Sequence, residues 1–114
     1  MIPEISVTVL NEKLESQERF ILLDVRELEE LKLAQIMDSR LAFVPLSRLA
    51  QEGISALPES MRSQEMPVYV LCHHGNRSMQ TAMWLAQQGY ENVFNVSGGI
   101  DEYARKIDRS VGMY

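Results

Sequence analysis

Short apolar segments alternate with helical patterns along the whole chain, and this alternation constrains the fold more than any other feature. Residues 20–25 (FILLDV) and 68–72 (VYVLC) are rich in aliphatic and β-branched residues, which is typical of strands buried in a parallel sheet. Weaker strand candidates are residues 93–96, 42–44 and, at an edge, 4–7. Strands that alternate with helices predict an α/β fold, with a parallel sheet between helices on both faces.

The helical patterns lie between these strands. In residues 78–88, apolar side chains recur from Met79 at the i, i+3, i+4, i+7 spacing, and Gly89 stands where that helix is expected to end. Residues 51–67 contain a glycine and two prolines and predict loops around about one helical turn. Shorter helical patterns occupy residues 7–14, 28–31, 46–49 and 100–107.

Composition narrows the class of protein. A length of 114 residues suits one domain, and the 16 acidic residues outweigh the 11 basic ones without forming a run. The absence of a basic cluster argues against nucleic-acid binding. Cys72 is the single cysteine, so no internal disulfide can form, which fits a reducing compartment. No signal peptide and no membrane-spanning apolar run is found, so we expect a cytoplasmic protein with no membrane partner.

The sequence that follows the second apolar strand has the features of a reactive site. Cys72 ends that strand, and ligands in open α/β sheets bind outside the carboxyl ends of strands. Gly75 and Asn76 tolerate the positive φ angles of a tight loop, whose inward amides form an anion-binding nest at a helix N-terminus. A thiol facing that nest is expected to react as the thiolate. A lone cysteine is more commonly a small buried apolar residue, and that interpretation stays open at this point.

Three motifs together resemble the rhodanese family. Residues 72–78 (CHHGNRS) resemble its active-site loop C-x-x-G-x-[RT]-S, and residues 22–27 (LLDVRE) resemble its LDVRE segment. The ending from Gly89 through residues 93–96 to Gly98-Gly99-Ile100 resembles GY-x-x-V-x-x-x-x-GG-[IFW]. The resemblance covers about residues 4–107, comes closest to small single-domain bacterial members, and predicts one domain over residues 1–114.

The resemblance implies a rhodanese-like α/β fold with a five-stranded parallel sheet, and a sulfurtransferase that uses Cys72 as its nucleophile. The thiolate would take a sulfane sulfur from a donor such as thiosulfate or a persulfide, and would pass it from a Cys72 persulfide to cyanide or a thiol by ping-pong kinetics. No metal and no organic cofactor is implied. Residues expected to form the substrate cradle are His73, His74, Gly75, Asn76, Arg77 and Ser78.

Individual residues carry more specific expectations. Arg77 would clamp the donor's anionic group, or would pair with a nearby acid as a surface arginine. Either His73 or His74 could become protonated at the pocket mouth and favour an anionic donor, or could have no role. Asp24 and Arg26 are expected to support the loop. Gly98 and Gly99 are expected to allow a tight turn close to it.

One segment departs from the family pattern. A G-H-I-x-G-A stretch commonly follows LDVRE, but residues 33–42 read LAQIMDSRLA, with neither the histidine nor the glycines. The local wall of the pocket therefore cannot be inferred by resemblance.

Two other functions compete with a free-standing sulfurtransferase. Cysteine phosphatases and arsenate reductases need C-x₅-R, whereas Arg77 comes one position too early for that loop. A sulfur-relay or protein-interaction module would need the same Cys72 cradle, so the sequence leaves that alternative open. A zinc site is not expected, because three adjacent loop residues cannot easily surround one ion and no further histidine or cysteine exists.

Overall fold

The computed structural model describes residues 2–114, which form one five-stranded parallel sheet with helices on both faces. The strand order is β1-β5-β4-β2-β3, and β4 lies at the centre. This confirms the predicted α/β fold. The strands are β1 (Glu4–Ile5), β2 (Ile21–Asp24), β3 (Leu41–Phe43), β4 (Val68–Leu71) and β5 (Val93–Val96).

The helices follow the predicted alternation, with short 3₁₀ turns at 53–56, 59–61 and 109–111. The segment at 51–67 is therefore the end of a helix followed by two 3₁₀ turns, close to its prediction. No helix within residues 2–114 is both long and apolar enough to cross a bilayer. The helices are α1 (Val7–Leu14), α2 (Leu28–Leu31), α3 (Leu46–Glu52), α4 (Asn76–Gln87) and α5 (Gly99–Lys106).

The two central strands are buried on both faces, as their uninterrupted apolar sequences predict. All four residues of β2 and of β4 are buried, and their side chains alternate between two apolar clusters. Val70 packs in the cluster on the side of α3 and α4, whereas Leu71 packs in the cluster on the side of α1 and α5. Residue 72 is therefore delivered from a rigid strand to the carboxyl edge of the sheet.

Several element boundaries differ from the sequence prediction by one to three residues, and two of these differences have a clear local cause. β1 ends at Ile5 because Ser6 is the N-cap of α1, where its hydroxyl accepts the amide of Val9 at 3.1 Å. Helix α4 begins at Asn76, two residues earlier than predicted, because Gly75 takes the left-handed conformation (φ 105°) directly before it. Gly89 also has a positive φ just after α4, as its predicted capping position requires.

Candidate active site

The thiol of Cys72 lies among hydrogen-bond donors at the start of α4. Its Sγ accepts the backbone amide of Gly75 at 3.1 Å and that of Ser78 at 3.3 Å, and it lies 3.2 Å from the Ser78 hydroxyl oxygen. Two backbone amides directed at one sulfur atom at a helix N-terminus make an environment suited to a sulfur anion. The loop predicted as an anion nest thus has that geometry, with two amides on the sulfur among residues 2–114.

The turn after β5 is hydrogen-bonded to the backbone of this loop. Ile100 donates its amide to the carbonyl of Cys72 at 2.9 Å, and Asp101 donates to the carbonyl of His73 at 3.1 Å. A Cβ atom at Gly99 would lie 2.3 Å from the His73 carbonyl oxygen, so only glycine permits this approach. The predicted role of the glycine pair in a close backbone contact with the loop is confirmed.

Cys72 is buried, as the apolar interpretation that the sequence left open would require. The residue is 1% exposed and packs on one side against the apolar cluster between the sheet and α4. Its sulfur nevertheless has polar partners, so the site combines an apolar wall with an amide cradle. A reagent must therefore reach below the loop surface to contact Sγ.

Arg77 is held by an acid, the alternative that the sequence had left open. Both of its terminal nitrogens bond to the Glu30 carboxylate, at 2.7 and 2.8 Å. These hydrogen bonds from Arg77, acting against partial burial, hold the pKa of Glu30 at about 2. The guanidinium therefore links α4 to α2 through this ion pair.

Asp24 and Arg26 form a fully buried ion pair beside the loop. Arg26 Nη2 lies 2.8 Å from Asp24 Oδ2, and both side chains are 0% exposed. Arg26 Nη1 donates to the Tyr114 hydroxyl at 3.2 Å, and that hydroxyl donates to Glu30 at 2.8 Å. Asp24, Arg26, Tyr114, Glu30 and Arg77 thus form one continuous network that connects the end of β2 to α4.

The two loop histidines lie in different environments. His73 is half-buried, and its ring stacks on Tyr114 with centroids 3.7 Å apart and planes 6° apart, whereas His74 is exposed. His73 Nε2 lies 2.8 Å from the Tyr114 carbonyl oxygen, which can only accept, so Nε2 carries a proton. Burial lowers the pKa of His73, which favours its neutral form at pH 7. This opposes the suggestion that His73 attracts an anionic donor by protonation.

The carboxylate of Asp101 lies beside His73 and His74, a contact that the sequence analysis did not foresee. Its carboxylate and one ring nitrogen of each histidine lie within 4.8 Å of one another. Asp101 already accepts from Arg105 at 3.1 Å, and His73 is bonded to Tyr114. We therefore assign no metal ion to this cluster.

The remaining cradle residues divide between the sulfur and the surface. Asn76 is the exposed first residue of α4, and Ser78 is fully buried against Cys72. Besides Asp101, sequence reasoning missed three residues of the site: Glu30, Tyr114 and Asn95. Asn95 had a readable signal, because it is a polar residue inside the apolar strand VFNV.

The segment that departs from the family pattern is supported by the C-terminal residues. The amide of Gln35 donates to the carbonyl of Val111 at 2.8 Å, and Ala34 and Ile36 are buried. A Cβ atom at Gly112 would lie 2.2 Å from the Leu33 carbonyl oxygen. Close packing against residues 111 and 112 thus holds this segment in a conformation that the sequence could not predict.

The chain belongs to the family described as "Rhodanese-like domain", which matches residues 6–106. Family membership and the recognition made from the three motifs are therefore confirmed. At the level of this family, the associated chemistry is sulfur transfer.

Several proteins with sequences similar to this chain are longer than it. The chain is 35% identical over 118 residues to "Rhodanese-like/PpiC domain-containing protein 12, chloroplastic" of Arabidopsis thaliana, covering 99% of this chain and 38% of that protein. It is 31% identical over 107 residues to YrkF of Bacillus subtilis, a protein named as a candidate sulfur carrier, covering 94% of this chain and 54% of YrkF. It is 32% identical over 109 residues to the rice "Adenylyltransferase and sulfurtransferase MOCS3", covering 89% and 24%. The chain thus spans from about a quarter to about half of these proteins.

A solved structure of similar length has the same fold. The crystal structure of a rhodanese-related protein from Thermoplasma volcanium matches with a TM-score of 0.73 and 30% identity. The match covers 92% of this chain and 93% of that chain.

Proposed function

We propose that this chain is a sulfurtransferase that carries a sulfane sulfur as a persulfide on Cys72. The observation that supports this most directly is the pair of amides, from Gly75 and Ser78, directed at Sγ. Backbone donors at a helix N-terminus stabilise negative charge on sulfur without a metal. Lone structural cysteines need no such donors, so the cradle favours a chemical role.

Both steps of the transfer balance in atoms and electrons with only the donor, Cys72 and the acceptor. The Cys72 thiolate attacks the outer sulfur of the donor, the donor's sulfur–sulfur bond breaks, and its electron pair leaves with sulfite or with a thiolate. The product is Cys72–S–S⁻. A thiol or cyanide then attacks the outer sulfur, and the Cys72 thiolate leaves. No electrons enter from elsewhere, so neither step needs a redox cofactor.

The surroundings of the loop favour a persulfide donor over thiosulfate. Thiosulfate is a dianion, and the loop's guanidinium, on Arg77, is already bonded twice to Glu30. Burial lowers the pKa of His73 and so favours its uncharged form at pH 7. We therefore expect a small persulfide to load Cys72 faster than thiosulfate at equal concentration.

A sulfur relay is the second candidate. It is favoured by the burial of Cys72 and by the similarity to a candidate sulfur carrier, because a relay receives sulfur from one protein and passes it to another without rapid turnover of small donors. A lone cysteine that must stay reduced also suits the cytoplasm, which we include in the proposal.

Intact-mass measurement tests the chemistry without assuming a substrate. The reduced protein is incubated separately with thiosulfate and with a low-molecular-weight persulfide, and the expected product has gained one sulfur atom. Cys72→Ser is the control and should gain none. Failure of the wild-type protein to gain sulfur from either donor would refute the proposal.

Kinetics then separate the enzyme from the relay. Thiocyanate release with excess cyanide and persulfide reports repeated turnover of small molecules. Rapid turnover supports a free-standing enzyme, whereas a single stoichiometric release supports the relay.

The role of Arg77 is tested by treating the two half-reactions separately. Both terminal nitrogens of Arg77 are bonded to Glu30, so Arg77→Ala should make the loop less rigid. We therefore expect sulfur loading and sulfur discharge to slow by similar factors. A loss confined to loading with anionic donors would restore the clamp interpretation.

A further inference from the structure

A chain of hydrogen bonds leads from Cys72 across the back of the loop to the edge of the sheet. The Ser78 hydroxyl donates to Asn95 Oδ1 at 2.5 Å and lies 3.2 Å from Cys72 Sγ. Asn95 Nδ2 donates to Glu4 Oε2 at 2.8 Å and to the carbonyl of Gly75 at 3.2 Å. Ser78 is 0% exposed and Asn95 is 1% exposed, so water does not compete for these bonds.

The two acceptors of Asn95 fix the orientation of its side chain. A carboxylate and a carbonyl can only accept, so the atom facing Glu4 and Gly75 must be the amide nitrogen. The amide oxygen therefore faces Ser78. Glu4 lies on β1 and Asn95 lies opposite it in the sheet register, so this orientation is fixed by strand pairing.

A serine hydroxyl has one hydrogen, and at Ser78 that hydrogen is directed to Asn95. The Ser78 oxygen can then offer Cys72 only lone pairs. A neutral thiol satisfies this arrangement, because its S–H can donate to the hydroxyl oxygen. A thiolate does not, because negative sulfur would face an oxygen lone pair at 3.2 Å.

We propose that Asn95 is a positioning residue that directs the Ser78 hydroxyl away from Cys72 and so favours the states in which Sγ is uncharged. There are two such states, the thiol and the persulfide, because the charge of Cys72–S–S⁻ lies on the outer sulfur. Asn95 thereby offsets part of the stabilisation that the amides of Gly75 and Ser78 give to the bare thiolate. The effect on the persulfide depends on the proposed function, whereas the effect on the thiol does not.

This has a consequence for sulfur release. When an acceptor attacks the outer sulfur, the sulfur–sulfur bond breaks and the electron pair moves to Sγ. Asn95 makes that leaving thiolate less stable and thereby lengthens the lifetime of the loaded state. Ser78 can assist departure only by turning its hydrogen from Asn95 to Sγ.

Other charges on the neighbouring elements stay in place when Asn95 is changed. Any shift in thiol reactivity in an Asn95 variant can therefore be attributed to the hydrogen-bond chain and its terminal acid. The titratable and charged side chains on those elements are Glu4 of β1, Asp24 of β2 and Arg26 after it, Tyr69 of β4, Glu29 and Glu30 of α2, His73 and His74 of the loop, Arg77 of α4, and Asp101, Glu102, Tyr103, Arg105 and Lys106 of α5.

The test is the pH profile of Cys72 alkylation by iodoacetamide, which is unambiguous because the chain has one cysteine. Asn95→Leu removes the acceptor and frees the Ser78 hydroxyl to donate to the thiolate. The midpoint of the profile should move to lower pH by about one unit, since a hydrogen bond to a charged group is gained. Glu4→Leu, at an exposed position, should give a smaller shift in the same direction.

A double-variant comparison separates positioning from general loosening of the loop. In a Ser78→Ala background there is no hydroxyl to direct, so Asn95→Leu should then shift the midpoint no further. Asn92→Leu, at the base of the same strand, is the matched control and should leave the profile unchanged. An unchanged or upward midpoint in Asn95→Leu, or a shift that persists without the Ser78 hydroxyl, overturns the proposal.

Persulfide lifetime provides the readout tied to the proposed function. Asn95→Leu loaded with sulfur should transfer it to a fixed concentration of thiol about threefold faster than wild type. A shifted alkylation profile without any sulfur loading would refute sulfur transfer and leave the role of Asn95 standing. Normal sulfur loading with an unshifted alkylation profile would support sulfur transfer and refute the proposed role of Asn95.

Discussion

Two Asp-x-Arg pairs in this molecule have nearly the same local geometry and lie at opposite ends of the sheet. After β2, Arg26 Nη2 bonds to Asp24 at 2.8 Å, and its backbone amide also donates to that carboxylate at 3.1 Å. Before β3, Arg40 Nη2 bonds to Asp38 at 2.9 Å, with its amide at 2.9 Å. The first pair is 0% exposed on both side chains, whereas the second is 20% and 16% exposed.

The surroundings give the two pairs different tasks. Arg26 joins Tyr114 and, through it, the Glu30–Arg77 ion pair beside the active-site loop. Arg40 instead closes the C-terminal end of α1, because its terminal nitrogens donate to backbone carbonyls there. The same three-residue pattern therefore stabilises the site in one place and a helix end in the other, and burial decides which pair is the more costly to break.

The largest effect is expected from Arg26→Leu. This change leaves the Asp24 carboxylate buried without its partner, which costs about 3–5 kcal/mol in the free energy of unfolding. Urea denaturation of the reduced protein measures that loss. The variant should also load sulfur poorly, because Glu30 and Arg77 lose a neighbour that supports them.

A double change sharpens this result. Asp24→Leu with Arg26→Leu removes both charges and should recover a large part of the lost stability, since apolar replacement of a buried pair is often close to neutral. If the double variant is as unstable as the single one, the cost arises from packing and not from an unpaired charge.

An intermediate effect is expected from Arg40→Leu. Water can reach Asp38 after the change, so the loss should be about 1–2 kcal/mol, from hydrogen bonds to the end of α1 and from the Arg40 contact with the Phe20 ring at 4.4 Å. The rate of Cys72 alkylation should match wild type. A cost equal to that of Arg26→Leu would contradict the role assigned to burial.

These pairs also show what sequence could and could not predict. The strands, the helices and the family loop could be predicted because apolar periodicity and glycine positions are local features of the sequence. Asp24 and Arg26 were assigned a supporting role because the strand that they follow was expected to lie beside the Cys72 strand. Asp38 and Arg40 have the same spacing but lie in the segment that departs from the family pattern, so no signal singled them out.

The partners of the site residues could not be predicted, because they come from distant parts of the chain. Arg77 meets Glu30 across 47 positions, and Arg26 meets Tyr114 across 88. The sequence left Arg77 open between an anion clamp and a surface ion pair, and the acid that it contacts, Glu30, could be identified only from the position of α2. Asn95 was readable as a polar residue in an apolar strand, but its link to Ser78 depends on the sheet register.

The smallest of the predicted effects concerns the ion pair that links the buried network to the loop. Arg77 holds the pKa of Glu30 at about 2, below the ordinary value of 4.5, so the unfolded chain takes up the proton first as pH falls. The stabilisation is complete above about pH 5 and disappears as the pH falls toward 2. Because Arg77 is a third exposed, solvent screening limits it to about 1 kcal/mol.

Comparison of wild type with Glu30→Gln at pH 7 and pH 3 measures this contribution. The wild type should be the more stable at pH 7, and the gap between the urea midpoints of the two proteins should narrow by about half at pH 3, because the folded-state pKa of Glu30 is about 2. Glu52→Gln, in the exposed pair with Arg48, is the matched control and should track wild type at both values. A stability gap that is as wide at pH 3 as at pH 7 would mean that Glu30 acts through its shape and its bond to Tyr114, and that its charge on Arg77 contributes little.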